Sequence, residues 1–547
     1  MSSSRRGFII GAGAAALGTA GRRWPQPVAR GAADAQVEIL LNEPIGTIAP
    51  DLYGHFVEHL GGVVYDGIWV GEKSPIPNVS GVRKSLVDAL AKIKPPVIRW
   101  PGGCFADQYD WHDGTGTKAA RPTRTNFWVD DGSWPKGGNA LGPQRFDPNA
   151  FGTAEFARFC RSVGAKPYLA ANLRSLKAQD FWHWIEYCNS PAGSTTLATV
   201  RATDGSREPF GVRFWGVGNE SWGCGGNFAP EEYASEFRRF TAWAPNYGGE
   251  LAFIGSGPNG ADLDWTKRFF AAAKERGGLW GMWGWGLHHY AWKTKPETKG
   301  DWWRDKSDAL TYSRDQYYEL LKDGNRLDGL IGAHWSAMAE ADPEHHVKLV
   351  IDEWGAWHAP GSEPFADALF GQQSTMRDAI LAGLSLDTFN RYADKVAMAN
   401  VAQLINCLQS LFLAHEDKFC VTPTYHVFDL YQAHAGATSL KTVVSAAESV
   451  PGLPGLSVSA SVRGKAACIT LTNTSLDLSR ETQIAIRGGL VRSATAKAVF
   501  AKDVHAHNTF KEPAAVGVAI LPTTVHDGQL TILLPPGSVS MVELALG

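Results

Sequence analysis

The sequence predicts an α/β fold: a parallel (β/α)8 TIM barrel followed by a C-terminal antiparallel β-sandwich that is jelly-roll-like. Over residues 47–420, eight apolar strand-like runs alternate with segments of helical period, which is the pattern of a parallel barrel. Over residues 421–547, short alternating strands divided by Gly, Pro, Asn and Asp replace the long helices. A chain of 547 residues is also longer than one hydrophobic core supports, so at least two domains are expected.

The predicted barrel strands and helices follow one another in order along the chain. The strands end near Glu58, Trp100, Asn172, Glu220, Gly257, Tyr290, Glu353 and Gln403. Helical period marks the segments between them, at 82–93, 153–163, 178–188, 230–243, 264–275, 314–322 and 373–391. One more alternating run, at 36–46, has no place in the barrel count, so we expect it to pair into the sandwich.

Residues 1–35 predict a twin-arginine export signal rather than a folded element. Arg5 and Arg6 precede an apolar stretch rich in Gly and Ala, and residues 33–35 offer a small-x-small cleavage site. Residues 11–16 also match a dinucleotide-binding fingerprint, but they lack the βαβ unit that this fingerprint requires. We therefore expect an exported protein, either periplasmic or secreted.

The composition excludes several classes of partner. The formal net charge is −3 and no basic run occurs, so neither nucleic acid nor an anionic membrane is an expected partner. No stretch after the signal is apolar over a membrane-spanning length, so no membrane association is expected once the signal is removed. The seven cysteines include no C-x-x-C pair, and we expect no disulfide scaffold.

Six of the eight predicted strands end in polar, protonatable or amide side chains. The active site of a TIM barrel lies at the C-terminal ends of its strands, so these side chains should converge. Strand 4 ends in Asn219 and Glu220, strand 7 ends in Glu353, and these two strands lie across the barrel mouth from each other. Two opposed carboxyl groups can hydrolyse a glycosidic bond, one by protonating the leaving oxygen and the other by acting at the anomeric carbon.

The segment from His55 through Glu58 to His59 allows a different chemistry. Two histidines four positions apart with a glutamate between them match a zinc-peptidase motif. A zinc site needs a third protein ligand and a helix that presents both histidines on one face, and the flanking glycines disfavour a helix. We expect instead that Glu58 faces the pocket of Glu220 and Glu353, that both histidines support the strand end through hydrogen bonds, and that no metal is bound.

Several longer motifs together resemble glycoside hydrolase family 51. They are "LYGHFVEHLGGVVYDGIWVG", "PVIRWPGGCFADQYDWHDGTG", "VRFWGVGNESWGCGGN", "GLHHY", "VIDEWGAWH" and "ANVAQLINCLQ", and the resemblance runs from about residue 37 to the end. It implies a retaining, exo-acting α-L-arabinofuranosidase without a cofactor. The implied substrates are terminal non-reducing arabinofuranosides of arabinoxylan, arabinan or derived oligosaccharides, and the implied assembly is a homo-oligomer.

The resemblance also implies roles for ten residues. Glu220 is similar to the general acid/base, Glu353 to the nucleophile, and Glu58 to the carboxylate that binds sugar hydroxyls. Asn219 is expected to contact a sugar hydroxyl, and Tyr290 is expected to hold the nucleophile in place. The full set of expected substrate contacts is Glu58, Cys104, Asn219, Tyr290, Gln403, Trp128, Trp357 and His288.

The loops at 129–150 and 172–179 depart from the pattern of the family, which leaves the leaving-group preference open. Three alternatives also stay open. The same site could belong to a galactofuranosidase, a β-xylosidase or an endo-glucanase, because a few loop residues decide the depth of such a pocket. The barrel could bind carbohydrate without catalysis, or the histidine motif could form a zinc metallohydrolase.

Overall fold

The computed structural model describes residues 34–547 with the exception of 129–144, 278, 280, 296–303 and 367. The predicted export signal, apart from residues 34 and 35, lies outside the described residues, and so does most of the loop at 129–150. In the described part of the chain, no helix combines the length and the apolar character that crossing a membrane requires.

Eight parallel strands close into a barrel, as the sequence predicts. In chain order, barrel strands 1 to 8 are Gly54–Phe56, Val97–Trp100, Lys166–Ala171, Phe214–Val217, Ala252–Gly255, Met282–Ala291, Lys348–Ala356 and Val396–Val401. Strand 8 pairs with strand 1 through Asn400 and Gly54, which closes the ring. This contact requires glycine, because a Cβ at Gly54 would lie 2.6 Å from the side chains of Asn400 and Val97.

Nine helices in the described residues accompany the strands. They are Lys84–Ile93, Thr153–Val163, Ala178–Asn189, Thr196–Thr203, Pro230–Thr241, Leu263–Glu275, Arg314–Met338, Met376–Arg391 and Pro423–Tyr431. The helices Thr196–Thr203 and Pro423–Tyr431 were not predicted. The second of them lies within the range predicted as sandwich and contacts both the barrel and the second domain.

The helix Arg314–Met338 is much longer than the predicted segment 314–322. Gly324 and Asn325 look like a helix stop in the sequence, yet the helix continues through them. A Cβ at position 324 would lie 2.1 Å from Cδ1 of Leu381. The glycine therefore permits close packing against the next helix, and it does not terminate the helix.

The second domain is a ten-stranded, mostly antiparallel sheet with its own hydrophobic core. Its strands after the barrel are Thr438–Ala446, Leu456–Arg463, Ala466–Asn473, Arg480–Arg487, Val491–Val499, Val518–Leu521, Thr523–His526, Gln529–Leu534 and Ser538–Leu546. The tenth strand, Ala35–Thr47, comes from before the barrel. It pairs antiparallel with Thr438–Ala446 and parallel with Arg480–Arg487, so it lies inside the sheet.

The two domains meet along the helix Met376–Arg391, whose residues are almost all buried. Within this helix, the carboxylate of Asp387 accepts four hydrogen bonds from hydroxyl groups. The donors are Tyr431, Ser459, Thr470 and Thr472, at 2.7 to 3.0 Å. Three of them belong to strands of the second domain, so this carboxylate links that domain to the last barrel helix.

Candidate active site

Glu353 lies near the end of barrel strand 7 and is buried. Its Oε1 accepts a hydrogen bond from Nη1 of Arg99 at 2.8 Å, and its Oε2 accepts one from the hydroxyl of Tyr290 at 2.7 Å. Arg99 lies in barrel strand 2, and its Nη2 donates to Oδ1 of Asn219 at 2.7 Å. One guanidinium therefore aligns the carboxylate of strand 7 with the amide of strand 4.

Glu220 follows barrel strand 4 and faces Glu353 across the mouth. Its backbone has φ of +39°, a left-handed conformation that costs a non-glycine residue roughly 1 kcal/mol or more. Gly218, with φ of +84°, allows the sharp turn that leads into it. The side chain of Glu220 is 23 % exposed, whereas that of Glu353 is 8 % exposed, so the two carboxyl groups differ in their access to solvent.

His288 connects the two glutamates. Its Nδ1 lies 2.9 Å from Oε1 of Glu220 and 3.5 Å from Oε2 of Glu353, and its Nε2 lies 3.4 Å from Oδ1 of Asp352. Burial disfavours the charged imidazolium, but the carboxylates of Glu353, Asp352 and Glu220 outweigh burial and raise the pKa of His288 to about 10.

Glu220, His288 and Glu353 are also close enough together to be considered as metal ligands, since one ligand atom from each lies within 4.8 Å of the other two. A metal requires neutral imidazole as a ligand. The raised pKa of His288 keeps the ring protonated at neutral pH, so it donates hydrogen bonds to carboxylates. This donor set therefore fits a pair of acids bridged by a cation better than it fits a metal centre.

Glu58 completes the group of carboxylates at the mouth. Its Oε1 accepts hydrogen bonds from the backbone N–H of Phe105 and from Nε1 of Trp128, and its Oε2 accepts one from Nε2 of Gln403, at 3.0 to 3.1 Å. Burial, together with the nearby charge of Glu353, raises the pKa of Glu58 to about 7.

Two glycines after barrel strand 2 allow this close approach. A Cβ at Gly102 would lie 2.7 Å from Cγ of Glu58, and one at Gly103 would lie 2.8 Å from Oε1 of Glu353.

The two histidines beside Glu58 have different surroundings. The Nδ1 of His59 lies 2.6 Å from Oδ2 of Asp147, and its Nε2 accepts a hydrogen bond from Nε1 of Trp100 at 3.0 Å. His55 is buried and, among the described residues, neither of its ring nitrogens has a hydrogen-bond partner, and burial lowers its pKa to about 3. The expectation that both histidines are hydrogen-bonded supports is therefore wrong for His55.

The same geometry disfavours zinc at this motif. Both ring nitrogens of His59 are already occupied, and the carboxylate of Glu58 accepts bonds from three donors. In the described part of the chain, His55, Glu58 and His59 do not form a group of converging ligand atoms. Barrel strand 1 ends at Phe56, so His59 lies beyond it, and the segment is not the helix that would present both histidines to one metal ion.

Cys104, which the resemblance implies as a substrate contact, forms a disulfide with Cys224. The pair joins the loop after barrel strand 2 to the loop after barrel strand 4, and Cys224 follows Glu220 by four positions. This single bond was not predicted, because the expectation from the sequence concerned only a disulfide scaffold. The 120-residue separation explains why no local spacing revealed the pair.

Trp128 and Trp357 lie on the same side of the site as Glu58 and Tyr290. The indole of Trp128 donates to Glu58, and the ring of Trp357 lies 5.5 Å from that of Tyr290. Both indoles pack against Phe370 edge to face, at 5.4 and 5.1 Å. All ten residues predicted from the sequence therefore lie on loops or strand ends at one end of the barrel.

Three buried charged residues at the mouth were not predicted: Arg99, Asp107 and Asp352. Asp107 accepts hydrogen bonds from the backbone N–H groups of Leu173 and Asn219, at 2.9 and 3.1 Å, which ties the ends of strands 3 and 4 together. Asp352 accepts a hydrogen bond from the hydroxyl of Tyr168 at 3.0 Å. Arg99 and Asp352 are charges within apolar strands, and that signal could have revealed them, whereas Asp107 lies in a short 3-10 turn after barrel strand 2 and carries no such signal.

An open cavity of about 310 Å³ adjoins Glu220 and His288 on the side of barrel strands 5 and 6. Its walls include the indoles of Trp222 and Trp292 and the guanidinium of Arg326. Arg326 is held by Asp323, whose Oδ1 lies 3.0 Å from its Nη1. The cavity is therefore an aromatic and charged space next to the more exposed of the two glutamates.

Comparisons with known proteins identify the family. A family profile described as α-L-arabinofuranosidase 1 domain matches residues 89–308, and one described as α-L-arabinofuranosidase C-terminal domain matches residues 352–538. The intracellular exo-α-L-arabinofuranosidase of Bacteroides ovatus is 35 % identical over 504 residues, which cover 91 % of this chain and 93 % of that protein. An intracellular exo-α-(1→5)-L-arabinofuranosidase of Acetivibrio thermocellus is 28 % identical over 376 residues, or 66 % of this chain and 68 % of that protein.

The expectation of export is contradicted by these relatives, because both are described as intracellular. Paired arginines before an apolar stretch are an address that a receptor must read, and composition alone does not establish that it is read. The prediction of a periplasmic or secreted protein is therefore wrong.

Solved structures give the same assignment as the profiles. The crystal structure of the family 51 arabinofuranosidase from Xanthomonas axonopodis pv. citri is similar with a TM-score of 0.86 and 33 % identity, and the match covers 94 % of this chain and all of that one. An arabinose complex of the α-L-arabinofuranosidase from Thermotoga maritima has a TM-score of 0.79 and 28 % identity over 93 % of this chain and all of that one. The chain, a glycoside hydrolase, belongs to the family 51 α-L-arabinofuranosidases.

Proposed function

We propose that this enzyme is an exo-acting, retaining α-L-arabinofuranosidase in which Glu353 is the nucleophile and Glu220 is the general acid/base. The observation that carries the proposal is the spacing of the carboxyl groups. Ligand atoms of Glu220 and Glu353 lie within 4.8 Å of each other and of His288. Retaining glycosidases hold their carboxyl groups about 5–5.5 Å apart, whereas inverting enzymes hold them roughly 6.5–9.5 Å apart.

The surroundings of the two glutamates support the roles. Arg99 and Tyr290 both donate to Glu353, and the two hydrogen bonds hold its carboxylate in a fixed orientation for attack. Glu220 is more exposed and borders the open cavity, where a leaving group can receive its proton. The reaction then has two steps, and each step inverts the configuration of the anomeric carbon.

In the first step, a carboxylate oxygen of Glu353 bonds to the anomeric carbon of arabinose while the glycosidic C–O bond breaks. Glu220 gives its proton to the departing oxygen. In the second step, Glu220 takes a proton from water, the water oxygen bonds to the anomeric carbon, and the bond to Glu353 breaks. Two inversions give net retention, and both glutamates return to their starting protonation states.

Glu58, Asn219 and Gln403 are the groups we propose for binding the arabinose hydroxyls. The carboxylate of Glu58 and the amide of Gln403 already hold each other in place. Arg99 orients the amide of Asn219, whose NH₂ group donates one hydrogen toward Sγ of Cys224 and has a second one for a sugar hydroxyl. Trp128 and Trp357 supply apolar walls beside them, and the Cys104–Cys224 disulfide forms the neighbouring rim.

We propose that the cavity lined by Trp222 and Trp292 receives the leaving group, which would be the remainder of an arabinan, arabinoxylan or derived oligosaccharide. The intracellular names of two relatives favour oligosaccharides, since polymers do not enter the cytoplasm. Trp222→Ala and Trp292→Ala should each lower kcat/KM for an arabino-oligosaccharide about tenfold, in line with the loss of a stacking contact. Turnover of an aryl α-L-arabinofuranoside, which has no second sugar, should change less than twofold.

The nucleophile is tested with Glu353→Ala and Glu220→Ala, using Glu543→Ala on the second domain as the matched control. Azide should restore turnover of an aryl arabinofuranoside by Glu353→Ala and give an arabinosyl azide of inverted configuration. With Glu220→Ala, azide should give the azide of retained configuration. If the two outcomes are exchanged, the roles are reversed.

The sugar specificity is tested with a panel of aryl glycosides. The α-L-arabinofuranoside should be turned over at least 100-fold faster than the galactofuranoside, β-xyloside and cellooligosaccharide members. Faster turnover of any of these would assign a different specificity to the site. Binding of arabinose without turnover of any substrate would favour a carbohydrate-binding protein.

A further inference from the structure

Another group of side chains that could coordinate a metal ion lies at the catalytic end of the barrel and shares no residue with the carboxylate pair. His112 belongs to the loop after barrel strand 2. Asp180 and His183 lie one turn apart in the helix Ala178–Asn189, which follows barrel strand 3. One ligand atom from each of the three lies within 4.8 Å of the other two. Residues three positions apart on a helix share a face, so this helix and the loop together present three ligands to one point.

The ring of His112 is already oriented for coordination. Its Nδ1 lies 2.6 Å from Oδ1 of Asp110, and the same oxygen accepts a hydrogen bond from the backbone N–H of His112 at 3.0 Å. A carboxylate on Nδ1 selects the tautomer with the proton on that nitrogen, which leaves the lone pair of Nε2 directed outward. This is the arrangement that fixes metal-bound histidines in many zinc sites.

The loop and the helix are held together by Trp111. Its buried indole stacks on His112 with ring centroids 3.8 Å apart, and its Nε1 donates to the backbone carbonyl of Asp180 at 2.9 Å. One carboxylate oxygen of Asp180 caps the helix by accepting the N–H of Lys177 at 2.9 Å, which leaves the other oxygen available as a ligand. The positions of His112 and Asp180 are therefore fixed before any ion arrives.

We propose that His112, Asp180 and His183 bind one zinc-class divalent ion, with water completing its coordination. Two imidazole nitrogens and one carboxylate suit zinc, nickel, copper and cobalt, whereas calcium and magnesium prefer oxygen ligands alone. Ligands at about 2.1 Å from such an ion require the three side chains to move toward each other by small rotations.

The ion would cross-link the loop after barrel strand 2 to the helix after barrel strand 3. The same loop carries Cys104 and Asp107, which hold the end of barrel strand 4. Zinc binding therefore stabilises one side of the mouth and takes no part in bond breaking. This proposal is independent of the assignment of Glu220 and Glu353, so either can fail without the other.

The experiment uses the full-length enzyme prepared without a polyhistidine tag, freed of metal with a chelator and dialysed. Calorimetric titration with zinc chloride should give one ion per chain with a dissociation constant in the micromolar range or tighter. The same titration of His112→Ala and His183→Ala should show at least tenfold weaker binding. His346→Ala is the matched control, since that exposed histidine pairs with Glu344 elsewhere on the surface, and it should bind zinc like the unchanged enzyme.

A second measurement follows the melting temperature. Zinc at 100 times its dissociation constant should stabilise the enzyme by about 2.7 kcal/mol through linkage, so its melting temperature should rise. His183→Ala should show no zinc-dependent rise, while its circular dichroism spectrum matches that of the unchanged enzyme. Absence of zinc binding to the unchanged enzyme, or equal affinity in both histidine variants, would overturn the proposal.

Discussion

Two groups of buried carboxylates in this molecule are held in opposite ways. At the barrel mouth, Glu353 and Asp352 are paired with cationic groups, the guanidinium of Arg99 and the imidazolium of His288. At the domain interface, Asp387 accepts hydrogen bonds from four neutral hydroxyl groups. The carboxylates at both places are buried, so the two groups differ in the chemistry of their hydrogen-bonding and charged partners.

The partners change the acidity of the two groups. Burial raises the pKa of Asp352, but Arg99 and His288 outweigh burial and hold it below the usual value of an aspartate. Burial dominates at Asp387 and raises its pKa, although the charge of Arg391 and the hydroxyl groups oppose the shift. Cations keep a buried carboxylate ionised and reactive, whereas hydroxyl groups satisfy its hydrogen bonds and fix its position. Changes at the mouth should therefore alter catalysis first, and changes at the interface should alter stability first.

Of the changes that test this comparison, Arg99→Lys is expected to have the largest effect on activity. Lysine keeps the charge but has a single ammonium, so it cannot contact both Glu353 and Asn219. We expect kcat for an aryl arabinofuranoside to fall by roughly 100-fold or more, the size of effect seen when one aligned donor is lost from an active site. Arg213→Lys, at an exposed ion pair with Glu250, is the control. A kcat within threefold of the unchanged enzyme would contradict the alignment that we assign to the guanidinium.

Asp387→Ala tests the role of the carboxylate at the domain interface. It leaves four buried hydroxyl groups without their common acceptor, which should lower the free energy of unfolding by about 2–3 kcal/mol. Activity per folded molecule should stay unchanged at a temperature well below the transition. Denaturant unfolding and active-site titration give the two quantities, with Asp394→Ala on the surface as the control. Lost activity without lost stability would show that the interface is coupled to the reaction.

The charged state of His288 predicts how stability depends on pH. Its pKa is raised in the folded enzyme from 6.5 to about 10, so the folded state holds the proton more tightly than the unfolded state does. The stability that this provides is complete below pH 6.5 and is lost as the pH rises toward 10. Calorimetry between pH 6 and pH 10 should therefore show a falling melting temperature, and His288→Gln should have a shallower fall than both the unchanged enzyme and His346→Gln. Equal slopes would mean that the imidazolium is not stabilised by the carboxylates.

Removal of the Cys104–Cys224 disulfide is expected to have the smallest effect on activity. Asp107 holds the end of barrel strand 4 independently, so loss of the disulfide leaves Asn219 anchored. Dithiothreitol should lower kcat/KM by less than about tenfold, and the double variant Cys104→Ser, Cys224→Ser should show the same lower activity with or without the reductant. A loss above 100-fold would make the disulfide the main support of the acid/base.

The sequence was most informative where a pattern repeats. Eight strand ends were predictable because apolar runs and polar ends recur with the barrel, and Glu220 and Glu353 followed from their places in that order. Arg99 was missed because it lies within an apolar strand, where its charge was counted as part of the run "PPVIRW". Gly324 misled the helix boundary because its role depends on Leu381, a residue of another helix.

Other features depend on proximity that no local spacing encodes. His55 and His59 look equivalent in the sequence, yet among the described residues only His59 contacts an aspartate, Asp147, which lies 88 positions later in the chain. The pairing of Cys104 with Cys224 likewise requires the ends of two strands to be brought together by the barrel. Such contacts are products of the fold, and the residues alone do not reveal them.

The position of the strand Ala35–Thr47 has a consequence for how the enzyme is made. This strand precedes the barrel, yet its two sheet partners are Thr438–Ala446 and Arg480–Arg487. During synthesis this strand stays unpaired until all eight barrel strands have been made, and an unpaired strand edge can associate with other chains. An engineered version that begins after residue 47 would remove an interior strand from a domain encoded almost 400 residues later. Trimming the chain into the strand that begins at Ala35 should therefore disrupt the second domain.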